Sequence, residues 1–270
     1  MNLKYNLNDK NSLRLGASKT YTLPQAKEIS PYRYVGVNFN SQGNPNLKPS
    51  DHYNLDLKWD FNPTSTELIS LTAFYKLIKN PISRIEVASA GGYLSYENIA
   101  DKATVAGVEV EIRKNLFVRP VSNAAHGMNK LSLGLNGSYI YTNAKMPLAT
   151  VTTGSQLEGA APWIVNFDLS HNFTKGERSF VNTLVLNYVS DKIYTIGTQG
   201  YQDMMEQGVL TLDFVSQAKL NKHLSLNLKA RNLLNPSYKL SRKANENGEK
   251  VILNDYKKGI NISLGVSCTF

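Results

Sequence analysis

The sequence predicts an all-β fold: an antiparallel meander of about ten to eleven strands, laid out as a transmembrane β-barrel. Three observations predict it. Apolar residues recur at every second position in one segment after another, the mark of a strand with two unlike faces. Most of these segments exceed the roughly 5–6 residues of an ordinary strand and reach the roughly 9–11 that cross a bilayer at a tilt. Short turns alternate with long polar connections, as in barrels with turns on one side of a membrane and loops on the other.

The chain opens inside a strand. Leu3, Tyr5 and Leu7 alternate with Asn2, Lys4 and Asn6, and Asn8-Asp9-Lys10-Asn11 has the composition of a turn. Leu13, Leu15 and Ala17 then alternate with Arg14, Gly16 and Ser18. Tyr53, Leu55, Leu57, Trp59 and Phe61 face away from Asn54, Asp56, Lys58 and Asp60. Val108, Val110 and Ile112 oppose Glu109, Glu111 and Arg113, and Leu131, Leu133 and Leu135 lead to Tyr139 and Tyr141. Trp163, Val165, Phe167 and Leu169, then Leu210, Leu212 and Phe214, then Leu224, Leu226 and Leu228 repeat the pattern. It closes on Ile260, Ile262, Leu264, Val266, Cys268 and Phe270. Strands are predicted at 11–23, 51–61, 67–86, 93–115, 130–145, 161–173, 179–196, 208–220, 223–240 and 251–270, besides the opening piece. Asn62-Pro63-Thr64-Ser65, Thr174-Lys175-Gly176-Glu177 and Asn221-Lys222 are short links. The stretches 22–50, 87–95, 146–160, 197–207 and 241–250 are long, and 115–129 is long where a short turn is due. In water, a wholly apolar sheet face is an aggregation hazard. In lipid it is required, because only a closed barrel pairs every backbone group, and the alternate polar residues then line a wet interior.

Composition excludes other classes. The 270 residues hold 30 Lys+Arg against 21 Asp+Glu, a formal charge of +9, with 19% charged and 10% aromatic residues. The aromatic content, 15 Tyr included, argues against disorder. One cysteine excludes an internal disulfide and a Cys-built zinc site, and on its apolar face Cys268 acts as a small hydrophobe. No apolar run of about 18 residues marks a helical span, and no apolar h-region opens the chain. The positive surplus permits an anionic partner, but the charges are too dispersed for a nucleic-acid stripe. His52, His126, His171 and His223 are far apart without ligand spacing, and no nucleophile elbow, phosphate loop or dinucleotide fingerprint is present. No enzyme, cofactor or metal site is therefore expected.

Bacterial single-chain barrels have an even number of strands. An odd count, an opening strand without a signal segment and two edges to satisfy predict a C-terminal piece of a longer protein. A self-contained ten-stranded pore or membrane protease with a short N-terminal tail is the alternative, and a soluble β-sandwich binding module a third.

Three passages carry a family likeness. Gly43-Asn44-Pro45-Asn46-Leu47-Lys48-Pro49-Ser50 resembles the "GNPxLKPE" segment of TonB-dependent outer-membrane receptors, with Ser50 for the usual Glu. It follows Leu23-Pro24 and Glu28-Ile29-Ser30-Pro31-Tyr32, similar to "RPxxxELxPY", with Leu23 for the Arg. Phe74-Tyr75 to Pro81-Ile82, then Tyr96-Glu97-Asn98 and Gly107-Val108-Glu109, resemble "FYxxIxNxI … YxNxxxAxxxGVExE". Asn232-Leu233-Leu234-Asn235 with Tyr238 is close to "NLFNxxY", and Phe270 fits the terminal aromatic of such barrels. The likeness runs along nearly the whole chain, in order, with a texture similar to receptors of the Bacteroidetes.

The resemblance implies a single partial domain over 1–270, the C-terminal half of a 22-stranded plugged barrel, so that these residues alone form an open curved sheet or partial barrel. The plug domain, the signal peptide and the segment that contacts TonB lie outside this sequence. It implies a Gram-negative outer-membrane location and uptake of a scarce nutrient such as a siderophore, haem, cobalamin or a glycan. The implied partners are outer-membrane lipid and lipopolysaccharide, the barrel-assembly machinery reading Phe270, and TonB through the missing part. Ligand-facing residues are expected at 88–93, 145–158, 197–207 and 242–250. The last holds Arg242, Lys243, Glu246, Glu249 and Lys250, either an anion-attracting loop or a solvated charge run. Asn44, Pro45, Leu47, Lys48, Pro49, Asn98, Gly107, Asn232, Leu233, Asn235 and Tyr238 are expected to shape backbone rather than carry chemistry. Trp59, Tyr75, Tyr139, Tyr141, Trp163, Tyr188 and Phe270 are expected in interfacial girdles, or, in a soluble sheet, in its core.

Overall fold

A computed structural model describes residues 1–89, 92–121, 127–147, 156–244 and 248–269. His126, Glu246 and Phe270 lie outside them. An 11-stranded antiparallel sheet runs β1 (Asn2–Asn6), β2 (Asn11–Thr22), β5 (Ser50–Phe61), β6 (Leu68–Lys79), β9 (Lys102–Pro120), β10 (Met128–Ala144), β11 (Trp163–Lys175), β12 (Arg178–Val189), β15 (Val209–Lys219), β16 (Leu224–Arg231) and β19 (Asn261–Cys268). A four-stranded sheet joins β3 (Arg33–Tyr34), β4 (Ser41–Gln42), β8 (Tyr93–Asn98) and β7 (Ile82–Val87). Another joins β13 (Lys192–Thr195), β14 (Met204–Glu206), β17 (Ser237–Lys243) and β18 (Lys250–Lys257). One helical turn, α1 (Ala26–Ile29), lies between β2 and β3. Among the described residues the large sheet is not closed: β1 pairs with β2 and β19 with β16, each on one side.

Residues 2–6 are a paired strand and not a tail, with Leu3 opposite Leu15 and Tyr5 opposite Leu13. Register carries the apolar alternation unbroken across the sheet: Leu15 faces Leu57, Leu57 faces Ala73, and Leu71 faces Val110. This apolar face is open. Leu57 is 51% exposed, Leu71 46% and Leu264 70%, so among the described residues no second protein layer covers it as a sandwich would. The other face is polar and crowded by curvature: Asp60 is 5% exposed, within 3.4 Å of both Arg14 and Lys58. Asn136 donates to Glu109 (3.1 Å), Asn166 to Asn136 and Asn187 to Asn166, an amide ladder over β9 to β12. Gly107 is needed where it stands, since a Cβ there would meet the Phe74 ring and the Tyr139 carbonyl, each at 2.4 Å.

The long predicted strands at 67–86, 93–115, 179–196, 223–240 and 251–270 need correction. Each is two strands in different sheets, divided at Asn80-Pro81, 99–101, Ser190-Asp191, 232–236 and 258–260. Alternation continues through these points, but the backbone does not. Asn80, Asn232 and Asn235 have φ of 51°, 59° and 43°, a left-handed turn that asparagine tolerates, and Gly259 has 80°. The 115–129 link is shorter than expected because β9 and β10 extend to Pro120 and from Met128, with a bulge at Leu131/Ser132.

The hydrophobic core sits beyond one end of the large sheet. Ile85, Ile99, Ala103, Leu157, Ile193 and Ile196 pack there, and Leu94, Met204 and Leu240 form a second cluster. The two small sheets therefore make a folded cap on the long-loop side, opposite the short turns.

Candidate functional site: the capped end of the sheet

The cap stands on brackets of side-chain amides. The Asn98 amide donates to the carbonyls of Lys48 (3.0 Å) and Asn80 (2.9 Å), and its Oδ1 accepts from the Lys48 N–H (2.8 Å). The Ser50 hydroxyl donates to the same Asn80 carbonyl at 2.7 Å. Asn44 donates to the Tyr96 carbonyl at 3.0 Å, and the Pro45-Asn46 turn sets the chain for this. A second bracket lies at the other small sheet. The Asn232 N–H donates to Asp213 (2.8 Å), its amide to the Gly259 carbonyl (2.6 Å), and Asn235 Oδ1 accepts from the Gly259 N–H (3.0 Å). These bonds hold backbone groups at the strand breaks that no ladder satisfies. Replacing Asn98 by alanine is expected to cost about 1–3 kcal/mol by orphaning those groups. Thermal loss of heat-modifiable migration measures it, and an unchanged midpoint would show that water replaces the amide.

Loop segments distant in sequence are tied together above the brackets. Ile85 and Ile196 form a parallel bridge, with Glu86 N–H to the Ile196 carbonyl at 3.1 Å and Ile196 N–H to the Arg84 carbonyl at 3.0 Å. Arg84 pairs with Glu158 at 3.1 Å and lies 4.3 Å from the Tyr194 ring centroid. Arg242 forms an ion pair with Glu86 and sits 5.2 Å from the Tyr201 ring. Asp203 accepts from the Gly197 N–H at 2.8 Å.

Burial pushes the carboxyls of Glu158 and Asp203 above their ordinary values, against the opposing pull of the Arg84 and Gly197 N–H groups. A carboxyl whose folded value is raised adds stability below its unfolded value and loses it as pH climbs through the folded one. The cap is therefore expected to exchange amide hydrogens more slowly at about pH 5 than at about pH 8, after correction for intrinsic rates. Glu158→Gln should remove that difference around Arg84, and a cap equally protected at both values in the wild type contradicts it.

Between the two small sheets lies a cavity of about 690 Å³ lined by Lys27, Arg84, Tyr96, Tyr194, Glu206, Tyr238, Lys239 and Tyr256 among others. It combines aromatic walls with basic heads. Tyr238 and Tyr256 stack at 5.5 Å, and Lys258 lies 3.8 Å from the Tyr238 ring. Of the residues named from sequence, Tyr96 and Tyr238 line this cavity, as does Glu206 from the expected 197–207 stretch, while Arg242 is held in its ion pair with Glu86. Lys243, Glu249 and Lys250 lie at the exposed tip of the β17–β18 hairpin. His52, His171 and His223 bond Thr22, Asn129 and the Thr269 carbonyl separately. Sequence reasoning misses Lys27, Arg84, Tyr194 and Lys239, since they come from segments far apart.

Residues 1–233 match the family described as TonB dependent receptor-like, beta-barrel. The chain belongs to this family. An iron-regulated outer membrane virulence protein of Vibrio cholerae serotype O1 is 25% identical over 219 residues, 77% of this chain and 31% of that protein. The ferric enterobactin receptor of Pseudomonas aeruginosa, in a mutant form, superposes with a TM-score of 0.59 at 17% identity, over 100% of this chain and 39% of its own. For the ferric yersiniabactin uptake receptor of Yersinia pestis the TM-score is 0.62 at 15% identity, over 100% of this chain and 36% of its own. The TonB-dependent receptor chain thus spans about a third of the length of the curated relative and little more of the solved structures. As a receptor barrel of this family it belongs to the outer membrane of a Gram-negative cell.

Proposed function

We propose that the chain supplies the C-terminal barrel strands of a TonB-dependent transporter, with the capped end outside the cell and the short turns in the periplasm. Further strands pair with the free edges of β1 and β19, and a plug in the lumen faces the amide ladder. The cavity between the two small sheets captures the ligand at the mouth of the barrel, and this cavity is the observation that carries the reading. Lys27, Arg84 and Lys239 attract an anion, while the tyrosines offer flat apolar contact. The hairpin tip with Lys243, Glu249 and Lys250 meets the ligand first. Uptake is binding and gating, powered through TonB, with no covalent chemistry. The relatives named for ferric enterobactin and ferric yersiniabactin direct the first screen to ferric chelates, followed by haem, cobalamin and glycans.

The test is titration of the purified full-length gene product with these ligands, followed by intrinsic fluorescence. One class should bind saturably, and Tyr194→Ala should weaken it about tenfold, the equivalent of 1.4 kcal/mol. Binding that Tyr194→Ala leaves unchanged places capture elsewhere, and no binding in any class defeats the uptake reading.

A further inference from the structure

On the apolar face of the large sheet one row is polar. Register sets Leu131 opposite His171, His171 opposite Asn182, and Asn182 opposite Ser216. His171, Asn182 and Ser216 therefore point to the same side as Leu133, Leu169, Leu184 and Phe214, the next row toward the cap. The next row toward the short turns is apolar again, with Phe173 opposite Phe180 and Phe180 opposite Ala218. Beyond it, Lys175 stands opposite Arg178, both exposed, and ends this face with positive charge. His171 Nε2 bonds Asn129 Oδ1 at 2.8 Å, and the Ser216 hydroxyl donates to Asn182 Oδ1 at 2.7 Å. Among the described residues no partner takes the Asn182 amide N–H groups or His171 Nδ1.

A cation on the lipid face is costly at the bilayer centre and nearly free at the interface, so Lys175 and Arg178 mark headgroup level. A strand rises about 3.3 Å per residue, and at a tilt of about 40° His171 then lies about 10 Å deeper than Lys175. The polar row is thus in hydrocarbon, where a donor without an acceptor costs far more than in water. Acyl chains offer no acceptor, so what covers the row is a polar surface inside the same bilayer. That surface must carry uncharged donors and acceptors at this depth. A second copy of the barrel does so by symmetry: its own row lies at the same level and holds donors and acceptors together.

We propose that His171, Asn182 and Ser216 form the contact between two copies of this barrel, related by a two-fold axis along the membrane normal at Asn182. The two Asn182 amides bond each other. His171 of each copy meets the partner subunit's Ser216, since these residues flank Asn182 on opposite sides. Phe180 and Leu184, on the same strand and face as Asn182, close around the polar centre. The contact rests on the barrel reading given above.

Native mass spectrometry of the full-length gene product in mild detergent counts the copies. The wild type is expected to be dimeric. Asn182→Leu should raise the dissociation constant about tenfold, and adding His171→Leu and Ser216→Ala should raise it on the order of 100-fold. These changes set apolar groups against lipid, so the folded barrel is retained. Cross-linking in membranes is the second readout, with Cys268→Ser as background. Mild oxidation should join Asn182→Cys to its copy, and should leave single Leu210→Cys, which is 41% exposed at the cap end of β15 on the same face. A monomeric wild type, variants that dissociate no more than the wild type, equal cross-linking of Leu210→Cys, or a cross-link to a chain of another mass each overturns the contact. Heat-modifiable migration of the same samples separates the two readings. A folded monomer sinks the contact alone, and a wild type with no heat-modifiable form sinks the barrel reading and the contact with it.

Discussion

Arg242→Met is expected to destabilise the cap by about 3–5 kcal/mol, the cost of leaving a buried charge without its partner. The magnitude follows from where the pair sits. The side chains of Arg242 and Glu86 are 16% and 11% exposed, whereas an exposed pair contributes roughly 0–1 kcal/mol. Glu86 also anchors the Ile85–Ile196 bridge through its N–H, and its carbonyl accepts from the Thr198 hydroxyl. An orphaned Glu86 carboxylate therefore loosens the junction between the two small sheets. Hydrogen exchange over residues 82–98 and 192–206 of the full-length protein is the readout. Adding Glu86→Leu to Arg242→Met should recover most of the loss, because the unpaired charge, and not the missing attraction, is the larger part. A single variant that exchanges like the wild type would mean that water reaches Glu86, and the two sheets would then be held by their apolar clusters.

Period-two alternation made the large sheet legible. The apolar residues it assigned to one face, from Leu3 to Val266, share that face wherever they fall in the paired strands of the large sheet. The cap was not legible, for a physical reason. Strands β7, β13, β17 and β18 continue the alternation of the strands before or after them, so pattern alone does not show the chain leaving the sheet. What divides them is backbone conformation at Asn80, Asn232, Asn235 and Gly259. The signal was present as Asn80-Pro81 and Asn235-Pro236, since proline withdraws a ladder donor and is disfavoured in a central strand. The cavity was legible least. Arg84, Tyr194 and Lys239 meet only once three separate loops have packed, and nothing in the local sequence of any one announces the others.

Leu57→Arg is expected to cost about 2–4 kcal/mol in a bilayer, as for a cation on the lipid face near mid-depth. Leu57 is near the middle of β5, between Leu15 and Ala73, and 51% exposed with apolar neighbours on its face. In water an exposed leucine exchanged for arginine would change stability by less than about 0.5 kcal/mol. The large penalty therefore arises from lipid and from no contact within the protein. Thr72→Arg supplies the contrast. It lies opposite Lys58 and Glu109 on the polar face, where the new cation meets a carboxylate and water, and a change of under about 1 kcal/mol is expected. Urea-driven unfolding of the full-length protein from lipid vesicles, followed by heat-modifiable migration, measures both. If Thr72→Arg proved the costly change and Leu57→Arg the neutral one, the polar face would be the packed side and the apolar face would not lie against lipid.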